Sequence, residues 1–229
     1  MPKPAQIVAN FQQQITTALT NYEQLVAAVS ALPQRLTMER LLAEQCVLTI
    51  AVQWEAFIHD LIIAYIEDKP DTCIAFHRNK VTQSVKDKHK GFSAWVTVTI
   101  PNPLTRIQIE EMLDPEGRNV SAESANTLTK KANELLAATH AKKFSLTSVD
   151  GGILDFVIAL RNYLSHRSSG SLKVLKKRLS DLGTADPASN MIGTLTNVAT
   201  YLNARPPGLL DSRAKVIGYA VSALAAKLV

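Results

Sequence analysis

At 229 residues the chain exceeds the usual single-domain size but stays within reach of one helical core, so one domain carrying an insertion is expected. Hydrophobic residues make up 46% of it, enough apolar surface to offset the ordering entropy of a fold and to exclude global disorder. The net charge of +5 permits contact with a phosphate backbone without demanding it, while Cys46 and Cys73 lie outside any zinc-binding pattern and fit a reducing cytoplasm.

The first residues, Met1 to Pro4, lack the apolar core of a signal peptide, and no run of roughly 18 uncharged apolar residues is apparent. Secretion and membrane spanning are therefore disfavoured, and a cytoplasmic protein is expected. Residues 5–32 read as a helix, with Ile7, Phe11, Ile15, Leu19, Tyr22, Leu25 and Val29 recurring at three- and four-residue steps before Pro33. A second long helix is predicted over residues 37–68, where Leu48, Ala51, Trp54, Ile58, Leu61, Ile62 and Tyr65 share a face and Lys69-Pro70 ends the pattern. The two read as an antiparallel pair.

Between residues 70 and 118 the helical period fades. The alternation from Trp95 to Ile100, followed by Pro101 and Pro103, suggests a short strand or extended segment inside an insertion. Residues 114–117 carry turn chemistry, after which 121–140 resumes as a rather polar helix holding Leu128, Leu135 and Leu136. The next helix is predicted over 148–166, capped by Ser148 or Asp150 and interrupted by Ser168 to Ser171. Residues 171–182, part of 188–203, and 211–229 are further helical candidates, separated by Gly183, Pro187 and Pro206 to Gly208. The fold class is thus mainly all-α, a bundle with additional C-terminal helices.

Residues 161–166 carry the most chemistry. On a helical wheel of 148–166, Ile153, Phe156, Val157, Leu160, Tyr163 and Leu164 form a core-facing stripe. Asp155, Ala159, Asn162 and His166 gather opposite, and Arg161 and Ser165 lie along one flank. An imidazole exchanges protons near neutral pH and a guanidinium grips phosphate in a fork, so His166 and Arg161 together suit phosphodiester chemistry. Five residues apart, they diverge by about 140° on an ideal helix. Unwinding of the last turn or a two-fold dimer would bring two such groups to one phosphate, and the dimer is the favoured solution. The same residues also fit a solvated helix end that complements the helix dipole.

The run from Arg161 through Asn162 to His166 resembles the signature of the HEPN superfamily, an arginine and a polar residue followed after a short gap by a histidine. The helical order around it, with a long helix containing Trp54 and Glu55 ahead and further helices behind, is similar to the RiboL-PSP and MAE-type branches. The resemblance covers most of the chain apart from residues 70–118. It implies a HEPN-like helical bundle that dimerises and acts as a metal-independent endoribonuclease, with a composite site at the dimer interface and no cofactor. Carried over, Arg161 would hold the scissile phosphate, Asn162 would orient the site, and His166 would be the general acid or base for attack by the adjacent 2′-hydroxyl.

Glu55 is expected at the edge of its helix's apolar stripe, where a carboxylate needs a partner, and Arg161 is the candidate. The pair would orient the guanidinium or serve as an interhelical brace. Arg167, Lys173, Lys176, Lys177 and Arg178 form a basic neighbourhood that fits either an RNA backbone or a solvated face. Implied partners are RNA, a second copy of the chain and a protein antitoxin or regulator, without a membrane. A non-catalytic HEPN-like interaction module is the competing expectation, and an unrelated helical scaffold is the third.

Overall fold

The computed structural model describes residues 2–89, 91, 95–101, 103–114 and 123–229 of the chain. Among these residues the structure is helical, as the sequence predicts, and holds no strand. The elements are α1 (Pro4–Val29), α2 (Arg35–Asp68), α3 (Asp71–Lys88), α4 (Arg106–Leu113), α5 (Ala125–Leu135), α6 (Ala138–Ala141), α7 (Ser148–His166), α8 (Ser169–Ala185), α9 (Val198–Asn203) and α10 (Arg213–Ala226). A single 3-10 turn, Lys142–Phe144, links α6 to α7.

Helix α2 is the axis of the bundle. From Leu61 to Ile66 every side chain is buried, in a helix against which α1, α4, α7, α9 and α10 all pack. By length and composition α2 could cross a membrane, although Glu55 and Asp60 interrupt its apolar run and no 18-residue stretch of it is free of charge. Its apolar surface is instead taken up by α1, α7, α9 and α10. Burial of apolar area at about 25 cal/mol per Å² is what holds such a helix inside.

Helix α1 opens with Pro4, whose missing N–H costs nothing in a first turn, and lays Ile7, Phe11, Ile15, Leu19 and Tyr22 onto α2. The pair is antiparallel. Near its start, Phe11 stacks on Phe57 at 4.4 Å and meets Trp54 edge-on at 5.9 Å, while further along α1 the Tyr22 side chain lies beside Cys46. Helix α10 closes the other side of α1. Gly218 makes that approach possible, since a Cβ there would stand 2.8 Å from Leu19 Cδ2 and 3.2 Å from Ile50 Cδ1. Gln12 Nε2 donates to the Ser222 carbonyl, and the Tyr65 hydroxyl donates to the Leu228 carbonyl at 2.5 Å, fixing the second half of α10 and the residues that follow it.

Helices α7 and α8 form an antiparallel hairpin, of which α7 packs against α2. The α7 start is capped by Thr147, whose Oγ1 accepts from the Asp150 N–H, rather than by Ser148 or Asp150 as the sequence suggested. At the far end Arg167 adopts a left-handed conformation (φ 51°, ψ 24°), and Ser168 then caps α8 by accepting from the Ser171 N–H. The region around residues 70–118 departs most from expectation. Residues 71–88 and 106–113 are helical, and the segment 95–101 pairs with no strand among the described residues. The turn expected at 114–117 falls outside the described residues beyond Asp114, as does Ser121. The helix expected over 121–140 divides at Leu136, where the backbone becomes extended.

Candidate functional site

The seam between α2 and α7 places the sequence-predicted residues. The two helices run antiparallel, so Glu55 faces Arg161 and Glu44 faces Arg167, eleven residues apart on α2 and six apart on α7. Arg161 Nη2 lies 3.3 Å from Glu55 Oε2, and its Nη1 donates to Asn162 Oδ1 at 3.2 Å. The pair that the sequence suggested therefore forms. Both partners are half-buried, with side-chain exposures of 35% for Arg161 and 26% for Glu55, which leaves the guanidinium a solvent-facing edge. A fully buried arginine could not reach a ligand, and a fully exposed one would not be oriented.

Between α2 and α7, lined by Trp54, Glu55, Ile58, Val157, Ile158 and Arg161, the crevice amounts to only about 10 Å³. That is room for about one water, so any larger ligand must meet Arg161 from the open side. On that side, Leu41, Leu48, Val52 and Glu55 recur at seven-, four- and three-residue steps along α2, and Ile158, Arg161 and Ser165 recur on α7. Leu41 and Val52 are about half exposed. Apolar and charged groups thus share one uncovered face.

His166 occupies the last turn of α7 and is exposed. The helix continues without interruption to His166, so the last turn does not unwind. In one chain, Arg161 and His166 are separated by about 140° and roughly 7.5 Å along the axis. No hydrogen bond or ion pair joins His166 to Arg161, Asn162 or Glu55 among the described residues. Ala159, expected opposite the core, is buried, since α8 packs on that side of α7.

The basic neighbourhood separates into distinct parts. Arg167 grips Glu44 with both guanidinium nitrogens at 2.7 Å, and its face lies over the Tyr163 ring at 5.6 Å. Those hydrogen bonds hold its pKa above the ordinary arginine value, against opposing desolvation. Lys173 and Lys176 are exposed, while Lys177 pairs with Asp181 at 2.7 Å. Arg178 reaches Asp155 at 3.1 Å, and Asp155 also accepts from the Ala125 N–H, so this arginine ties α8 to α7 near the start of α5. Only Lys173 and Lys176 of the expected set remain without an ion pair among the described residues.

Glu44 is the residue that sequence reading missed. It is a carboxylate at 6% exposure within a helix whose apolar stripe was traced from Leu48 onward. Nothing in the spacing could have linked it to Arg167, 123 positions later. A roomier cleft of about 470 Å³ lies where α1 meets the N-terminal regions of α2 and α10. Most of its charges satisfy one another: Lys215 bonds Glu23 and Asp211, and Arg35 meets Glu39 at 3.2 Å, while the exposed Arg205 makes no ion pair among the described residues. Comparison of the chain with protein-family models, with curated proteins and with solved structures finds no match in any of the three.

Proposed function

We propose that the protein is a metal-independent endoribonuclease of the HEPN type that acts as a cytoplasmic homodimer in defence, toxin–antitoxin or stress-linked RNA cleavage. The observation that carries this reading is Arg161, braced by Glu55 and Asn162 with one edge in solvent, five residues before an exposed histidine at the end of a core helix. Because α7 remains helical to His166, one chain cannot aim both groups at one phosphate, and a two-fold partner supplies the missing half. The uncovered face carrying Leu41, Val52 and Ile158 beside Arg161 gives such a partner apolar surface to bury.

In this reading Arg161 holds the scissile phosphate and Asn162 keeps its guanidinium in plane. His166, as general base or acid, removes the 2′-hydroxyl proton or protonates the leaving oxygen. The 2′-oxygen bonds to phosphorus as the bond to the 5′-oxygen breaks, leaving a 2′,3′-cyclic phosphate and a 5′-hydroxyl. DNA lacks the nucleophile and resists cleavage. Lys173 and Lys176, exposed on the first half of α8, extend the positive surface toward the RNA backbone in this reading. A protein antitoxin or regulator would act by covering this face.

The test is incubation of wild type, Arg161→Ala and His166→Ala with cellular RNA in excess chelator, followed by end-group analysis. Chelator-resistant cleavage with cyclic-phosphate ends is expected. Loss of the proton-transfer group should cost roughly a hundredfold to ten-thousandfold in rate. A second reading, a non-catalytic HEPN-like interaction module, draws on the Glu55 carboxylate that already neutralises Arg161 and on the exposed Leu41 and Val52. Cleavage that is absent, or indifferent to both substitutions, favours that alternative.

A further inference from the structure

Resting on the nuclease reading above, we infer that Glu44 and Arg167 are positioning residues, a clamp that fixes the end of α7 and thereby the aim of the His166 imidazole. Three independent features converge on it. Arg167 is the one non-glycine residue with a positive φ among the described residues, and it directly follows His166. Left-handed backbone is disfavoured for a side chain with a Cβ, and it persists only where surrounding contacts over-determine it. Here the over-determination is visible: two 2.7 Å bonds to a buried carboxylate and the Tyr163 ring beneath the guanidinium.

Glycine is the usual residue at such a helix end, because it adopts this conformation freely. An arginine in its place makes sense if its side chain has a task that glycine could not perform. Glu44 defines the task, since a carboxylate at 6% exposure is costly to bury without a charged partner of matched geometry. The clamp therefore ties the last turn of α7 to the central helix at one fixed distance. His166, one residue earlier and exposed, inherits its position from a backbone that cannot fray. Arg161 is held on the same seam by Glu55, so each member of the Arg161 and His166 pair is indexed to α2 by its own carboxylate.

The clamp also changes the assignment of Arg167, which the sequence placed among the RNA contacts. With both guanidinium nitrogens bonded to Glu44, the side chain is not free to follow a phosphate backbone. The two roles differ in kinetics. A positioning residue lowers kcat and leaves KM, because misplacement of a reacting group by about 1 Å can cost about a hundredfold in rate. A phosphate contact raises KM and reduces the salt dependence of binding.

The experiment compares Glu44→Gln, Arg167→Gly and the double variant, with folding checked by circular dichroism and thermal melting. Arg167→Gly retains the left-handed turn without strain while deleting the clamp, so it remains informative if Glu44→Gln does not fold. Each single change is expected to lower kcat about a hundredfold with KM within about twofold of wild type, and the double variant should be no worse than either. A rise in KM with unchanged kcat in Arg167→Gly alone would overturn the clamp in favour of RNA contact. The His166 ring resonances and the amide exchange of residues 161–167 are recorded in parallel and do not depend on cleavage. If wild type cleaves no RNA, the nuclease reading fails, yet the clamp still requires altered His166 resonances and faster exchange in both variants. Unchanged resonances and exchange would overturn it.

Discussion

The second half of α2 and the whole of α3 are consecutive in sequence and nearly opposite in what they bury. Between Leu61 and Ile66 six side chains in a row are inside, whereas α3 buries only Cys73 and Ile74 over its 18 residues. Both are regular helices. In α3, Asp71 in the first turn and Lys86 and Lys88 in the last complement the helix dipole, which supports the helix without tertiary burial. Hydrophobic periodicity therefore reports whether a helix is covered on one face. It does not report whether a helix exists, and it fails in opposite ways for a helix covered on all sides and for one covered almost nowhere.

The largest effect that would test this contrast comes from Trp54→Ala, which should destabilise the protein by about 3–5 kcal/mol in chemical denaturation. A cost below about 1 kcal/mol would mean that α2 is not the centre of the core. Next, Gly218→Val should cost about 1–3 kcal/mol by forcing Leu19 and Ile50 from their places, read as a lower denaturation midpoint at unchanged slope. An unchanged midpoint would show that α10 does not approach this closely.

A third measurement probes burial through protons. Burial pushes the Cys46 thiol up to about 12, Cys73 to about 11 and the Tyr65 hydroxyl to about 12. These acids ionise more readily in the unfolded chain, so their contribution to stability is complete below the unfolded thiol pKa of about 8.5. It is lost progressively as pH rises toward the folded values. The thermal midpoint should accordingly fall on moving from about pH 8.5 to 11, and a Cys46→Ala, Cys73→Ala variant should show a shallower decline. An identical slope in both proteins would remove the thiols from the account. The smallest effect belongs to α3: Val81, 45% exposed, should tolerate replacement by alanine within about 0.5 kcal/mol. A loss above about 1 kcal/mol would show that α3 is covered in solution.

Much of the bundle was legible in the sequence for a physical reason. Helix α7 has one-sided patterning and a clear stop at Ser168, so its predicted and observed spans coincide at 148–166. The faces of α7 were less legible, because Ala159 fits equally in water or beneath α8 and only the hairpin decides. Residues 95–100 alternate as a strand does, but among the described residues there is no partner strand, and alternation alone leaves a ladder nothing to bond to. The Glu55 and Arg161 pair could be anticipated from a half-buried carboxylate, whereas Glu44 and Arg167 depend on the helix register across the seam.

Helix α2 has a consequence for the order in which the chain is made. Its apolar surface is completed by α10 and by the bond from Tyr65 to Leu228, so the bundle cannot close until residue 228 has left the ribosome. From residue 68 to residue 228 is 160 residues (228 − 68), which at typical synthesis rates takes on the order of ten to thirty seconds. Throughout that interval a helix apolar enough to enter a bilayer is incompletely wrapped, and a ribosome stalled before α10 would present it to chaperones and proteases. For this chain, translation of residues 213–228 is the step that converts a sticky intermediate into a closed core.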